Sequence, residues 1–85
     1  MTAGVADIVV SLSGRDRGKA FLVVAVEGDY LFLSDGAVRR VEKPKRKKRK
    51  HTQFLAHSSA ATRLQEDGKR LSNSEIRRAL ADAGL

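Results

Sequence analysis

Seven of the eight residues from Lys43 to Lys50 are cationic: Lys43, Lys45, Arg46, Lys47, Lys48, Arg49 and Lys50, with Pro44 the single neutral member. The 85-residue chain holds 17 basic residues. Those outside this segment number ten and balance the ten acidic ones, so the net charge of +7 resides here. Cations at this density repel one another unless a polyanion neutralises them. That is the footprint of a nucleic-acid ligand or, less often, of an anionic membrane surface. A second set, Arg15, Arg17 and Lys19, is interleaved with Asp16 and Gly18 behind Gly14. Long cationic side chains at a loop tip reach phosphate oxygens, and glycines such as Gly18 let the backbone turn sharply or approach a ligand closely. Contacts of this kind give affinity and position without reading sequence. Arg39 and Arg40 precede the basic run and count with it as candidate contacts.

Other chemistries fit poorly. Gly14 and Gly18 enclose three residues where a phosphate-binding loop needs four, and Ala20 stands where Ser or Thr would hold magnesium. His51 and His57 are the only histidines, cysteine is absent and no His-Glu-x-x-His pattern occurs, so no metal site is expected. Ser58 follows His57, but the sequence offers no group to orient the imidazole, so a catalytic dyad is not expected. Asp16, Asp29 and Asp35 fall in turns, their ordinary use. Neither an enzymatic activity nor a cofactor is expected. The aromatic residues are Phe21, Tyr30, Phe32 and Phe54. Most belong in the core of so small a fold; Tyr30, at a turn edge, is placed either to stack on a base or to form the core rim, the commoner use. Reading of single strands by stacking is therefore disfavoured, while phosphates, 2′-hydroxyls and shape suit a folded RNA.

The elements that position these groups read as β structure over residues 7–42. Ile8, Val10 and Leu12 alternate with Val9, Ser11 and Ser13. A turn over residues 14–18 leads to a strand at 20–26, a tight turn at Glu27-Gly28-Asp29 leads to Tyr30–Leu33, and Asp35-Gly36 leads to a fourth strand at Ala37–Val41. Pro44 argues against a central strand in the basic run. That run is expected to be disordered until it meets its ligand, although a nuclear-targeting stretch has the same composition. His51 to Ala56 supplies a fifth strand with Phe54 in the core. Residues 57–71 read as an irregular or partly helical connector with a turn at Asp67-Gly68. Ser72 and Glu75 form a capping box that opens a short helix. Leu71 and Ile76 staple that helix, Ile76, Ala79, Leu80 and Ala83 form its apolar stripe, and Gly84 ends it.

The block from Asp7 to Lys19 resembles a KOW motif, with alternating apolar residues and Gly18 eleventh counted from Ile8. The continuation through Val23-Val24, Val26, Leu31, Leu33, Asp35-Gly36, Arg39, Val41 and His51-Thr52 is similar to KOW-bearing large-subunit ribosomal proteins of archaea and eukaryotes. It is also similar to small bacterial ribosomal-protein-like KOW proteins. The likeness covers roughly residues 4–55. Ala20 departs from the second glycine that many KOW motifs carry. The resemblance implies a mostly β, SH3-like antiparallel barrel that binds structured RNA through the first hairpin loop, a role that falls here on Arg15, Arg17 and Lys19.

The expected organisation is therefore a barrel over residues 1–56 that includes the basic segment, then a connector and helix over 57–85. The expected ligand is ribosomal RNA on a ribosomal subunit. A second reading makes the barrel a protein-interaction module with Ile76 and Leu80 as its docking face, and a third makes the chain a DNA-binding basic protein. The longest apolar run, Ala20 to Val26, is strand length, and residues 1–7 lack the pattern of a signal peptide. A cytoplasmic protein without a membrane span is expected.

Overall fold

A computed structural model describes residues 3–66 and 70–85. Five strands, β1 (Asp7–Ser11), β2 (Ala20–Glu27), β3 (Tyr30–Ser34), β4 (Lys45–Lys48) and β5 (Thr52–His57), form one antiparallel sheet in the order β4-β3-β2-β1-β5. Two helices follow, α1 (Ser59–Glu66) and α2 (Asn73–Asp82). The expected turn at Asp67-Gly68 lies outside the described residues. No helix among those described is long and apolar enough to cross a membrane.

The strand period decides which side chains meet. Val9, Phe21, Val23, Leu31 and Leu33 are buried together on one face. On the other, Ile8 and Leu22 pack with Ala61 of α1, Leu71, and Ile76 and Leu80 of α2. Both faces of the central strands are thus covered, so the second cluster, not a partner, answers the amphipathic α2. The capping box forms as expected, with Glu75 N–H donating to Ser72 Oγ at 3.2 Å and Ser72 N–H donating to Glu75 Oε1 at 2.9 Å. Ala83 is exposed and serves as the C-cap, so the apolar stripe is shorter than expected and consists of Ile76, Ala79 and Leu80.

The fourth strand lies elsewhere than expected. Residues 37–41 form no strand, and β4 is drawn from the basic run itself. The cause is local competition for the backbone. Asp35 Oδ1 accepts the N–H groups of Ala37 at 2.9 Å and Arg39 at 2.8 Å, while Ser34 Oγ donates to Arg39 O at 2.7 Å. Side-chain bonds of this kind hold a turn where a ladder would otherwise run. Pro44 precedes β4 by one residue, and β4 is an edge strand, the setting that tolerates a proline lacking an N–H.

The sheet is strongly curled, although its edges do not pair. β4 and β5 lie at opposite edges, yet only the single 3₁₀ turn Arg49–His51 joins them. Leu12 N–H donates to His51 O at 2.8 Å, which ties that turn to the end of β1. The register of β5 on β1 shifts between Ile8 and Val9, and that of β3 on β2 between Val23 and Ala25. Bulges of this type bend and twist the strands that carry them. Phe54, expected in the core, pairs with buried Val9 but is itself 36% exposed, at the rim of the core.

Helix α2 is latched to the loop between β3 and β4. Asn73 Oδ1 accepts Val41 N–H at 2.7 Å, Asn73 Nδ2 donates to Glu42 Oε1 at 2.6 Å, and Arg77 donates to Gly36 O. Gly36 is buried with φ 73°, and a Cβ there would overlap the Asn73 carbonyl oxygen. Gly28 also has positive φ, at 57°, but a Cβ there meets open space. Gly36→Ala therefore combines backbone strain with a clash and should cost about 2–4 kcal/mol. Gly28→Ala should cost only about 1 kcal/mol. Urea midpoints of the two variants measure the difference.

Candidate nucleic-acid interface

The first hairpin loop is built around a buried carboxylate. Gly14 and Gly18 take φ of 80° and 85°, Gly18 N–H donates to Ser11 O at 2.8 Å, and Lys19 N–H donates to Asp16 O at 2.9 Å. These bonds close the loop, turn Asp16 inward and leave Arg15, Arg17, Gly18 and Lys19 exposed. Asp16 Oδ1 accepts Ser11 Oγ–H at 2.7 Å and Lys47 Nζ at 2.9 Å. Its Oδ2 meets Lys45 Nζ at 2.7 Å, an ion pair without the angle of a directed hydrogen bond. Burial acts to raise the Asp16 pKa. It is outweighed by Lys45, by the hydrogen bonds from Ser11 and Lys47, and by the Lys47 charge, which together hold the carboxyl far below the usual aspartate range.

Lys47 is only 8% exposed. Its ammonium donates to Ser11 Oγ at 2.9 Å, Ser13 O at 2.8 Å and Asp16 Oδ1 at 2.9 Å. All three donors are satisfied, the condition for burying an amine. The contact also reports the curl. In a flat sheet β4 would stand three spacings from β1, roughly 14 Å away and beyond the reach of a lysine.

The basic run is thus divided by strand alternation. Lys45 and Lys47 face the hairpin loop, while Arg46 and Lys48 face the opposite side, where the Arg46 guanidinium lies 3.6 Å from the Tyr30 ring centroid. Arg49 is tied to the fold, donating to Ala3 O and, at 3.2 Å, to Gly28 O. Lys43 and Lys50 are exposed. Arg40 pairs with Glu42 at 3.2 Å on the surface. Burial opposes the shift of the Glu42 carboxyl, but hydrogen bonds from Asn73 and Arg40 draw it below its ordinary value. Arg15, Arg17, Lys19, Arg39, Lys43, Lys48 and Lys50 have no carboxylate partner among the described residues.

Four cations from three segments converge. Arg15 and Lys19 of the loop, Arg39 of the β3–β4 connection and Lys45 of β4 line one shallow cleft of about 200 Å³ together with the carboxylates of Asp16 and Asp35, so cations outnumber acids there by two. Sequence spacing alone does not bring Arg39 to the hairpin loop; the Asp35 turn does. The run was expected to be disordered until bound, yet Lys45–Lys48 is an ordered strand.

No protein-family model matches the chain, and no curated protein shows significant similarity to it. The site therefore has to be read from its own chemistry.

His57 corrects one expectation. Its Nδ1 lies 2.6 Å from Asp7 Oδ1 and its Nε2 lies 2.8 Å from Thr62 Oγ1, so the imidazole is oriented after all. Thr62 Oγ1 also lies 3.1 Å from Ser58 O, so its single proton serves either that carbonyl or the imidazole. Ser58 Oγ accepts Ala61 N–H at 3.2 Å and serves α1. The cluster pins α1 to β1.

Asp16 should make the fold acid-sensitive. Its folded pKa is depressed, so its stabilisation is complete above the ordinary aspartate value of 3.8 and is lost as pH falls below that value toward the depressed one. Asp16→Asn leaves the buried Lys47 without its counter-charge and should destabilise the protein at neutral pH by about 3 kcal/mol. Between pH 4 and pH 2 (roughly the window set by that shift) the gap to wild type should narrow. Urea denaturation at several pH values measures it.

Proposed function

We propose that this chain is a non-enzymatic RNA-binding protein of the KOW type, built on a small SH3-like barrel and acting on ribosomal RNA. The observation that carries the reading is the convergence of Arg15, Lys19, Arg39 and Lys45 on one cleft beside the glycine-bounded loop. Arg17, Lys43, Lys48 and Lys50 are further exposed cations, Lys48 on the opposite face of β4. A curled five-stranded antiparallel sheet whose two edge strands are joined by a single 3₁₀ turn supports the barrel. The resemblance of residues 7–19 to a KOW motif supports the ligand class.

The mechanism is neutralisation of backbone phosphates by side chains held on a rigid support. Asp16 and Lys47 fix the loop from within, so Arg15, Arg17 and Lys19 are presented without first ordering a flexible segment. Lys47 does not contribute directly, because all three of its donors are engaged within the fold, while Arg49 spends two of its five on backbone carbonyls. Binding through phosphates and shape suits a folded RNA. The rival reading, in which Ile76 and Leu80 dock a protein partner, loses its surface because both are covered by the chain's own core.

Co-sedimentation with ribosomal subunits across a salt series tests the proposal, with duplex DNA as competitor. Wild type should comigrate with one subunit and be released steeply as salt rises. Replacing Arg15, Arg17 and Lys19 together with Ala should weaken binding and flatten the slope of log K against log salt by about 2–3, near 0.9 per lost phosphate contact. Failure to comigrate even at low salt, or equal displacement by duplex DNA, overturns the ribosomal assignment.

A further inference from the structure

The outer face of β4 carries a feature that phosphate neutralisation does not use. Tyr30, the chain's one tyrosine, is partly buried at the start of β3, and Arg46 lies over its ring at 3.6 Å from the centroid. The register sets Phe32 opposite Arg46 and Tyr30 opposite Lys48, so these four residues share one face of the β3–β4 pair. Lys48 Nζ approaches the same ring at 6.0 Å. Arg46 has no carboxylate partner among the described residues and is itself exposed. At 3.6 Å from the centroid the guanidinium is close enough to stack on the ring, and the exposure of Arg46 leaves the far side of such a stack open to solvent. Its charge and plane then match a nucleobase better than they match a phosphate alone.

Beside this pair, Asp29, Lys48, Arg49 and Lys50 line a recess of about 410 Å³. Lys48, next but one to Arg46 on β4, and Lys50, in the 3₁₀ turn that follows, are exposed there. The arrangement supplies a stacking surface with cations next to it, the pair of contacts that a single unstacked nucleotide requires.

We infer that Arg46, backed by Tyr30, is a stacking platform for one unpaired base of the bound RNA, with Lys48 and Lys50 holding the adjoining phosphate. The inference rests on the RNA-binding reading and sharpens it: the preferred RNA carries a bulged or looped-out nucleotide and is not a continuous duplex. Tyr30 acts through the arginine that covers it, and the ring itself is not the contact surface.

The test uses the full chain and two RNA hairpins. One carries 2-aminopurine as a single unpaired nucleotide, and the other carries it fully paired. Wild type should bind the bulged hairpin about tenfold more tightly at a fixed salt concentration, with a change in 2-aminopurine fluorescence absent from the paired one. Arg46→Lys keeps the charge and removes the plane. It should retain binding to the paired hairpin and the salt slope while losing both the preference and the fluorescence change. Tyr30→Phe, which keeps the ring, should behave as wild type. Thermal unfolding by circular dichroism confirms that each variant is folded. Equal binding of both hairpins by wild type, or an undiminished preference in Arg46→Lys, overturns the stacking platform and leaves RNA binding standing. Binding of neither hairpin at low salt overturns the RNA reading and the platform together.

Discussion

An amine buried in a protein interior needs acceptors for all its protons and a counter-charge close by. Lys47 meets that demand with Ser11, Ser13 and Asp16, all from the end of β1 and the loop beyond it. Because Lys47 belongs to the strand at the far edge of the sheet, the demand can be met only if the sheet curls. Curling brings β4 to the first hairpin loop and makes Asp16 the internal anchor of both. The exposed cations on that loop owe their fixed positions to a carboxylate and an ammonium that the solvent hardly reaches.

The same pair gives the basic run a double character. A strand alternates its side chains, so consecutive cations are sent to opposite faces. Those facing the loop are partly neutralised by Asp16, and those facing away stay available, one of them stacked on Tyr30. Lysines on an edge strand also discourage pairing with a second chain, because strands so charged repel one another. Charge that would destabilise a compact core is thus carried at a sheet edge.

Much of this architecture was legible in the sequence. The period of two in β1, the Gly28 turn, the capping box at Ser72 and the cationic hairpin loop each depend on neighbours close along the chain. What could not be read depends on competition or distance. The Asp35 and Ser34 side chains capture the backbone of residues 36–39, and no alternation of Ala37 to Val41 reveals that a ladder there would lose to them. The partner of Lys47 lies 31 positions away in the chain, so a run of like charges looks uniform when one of its members is buried. Strand β5 is legible, but the exposure of Phe54 is not, because hydrophobicity alone puts an aromatic residue inside. The one oriented histidine was missed because Asp7 meets it only through the β1–β5 pairing.

That pairing also shapes how the molecule must assemble. β1 joins β2 across a single hairpin, and β2 joins β3 across a two-residue turn, so these contacts are cheap in chain entropy. β1 must then wait for β5, its partner at the greatest sequence separation in the sheet. Closing that loop carries the largest chain-entropy cost of the pairings in the sheet. Until β5 arrives, the second side of β1 is an open edge, on a nascent chain whose most cationic segment has already been made.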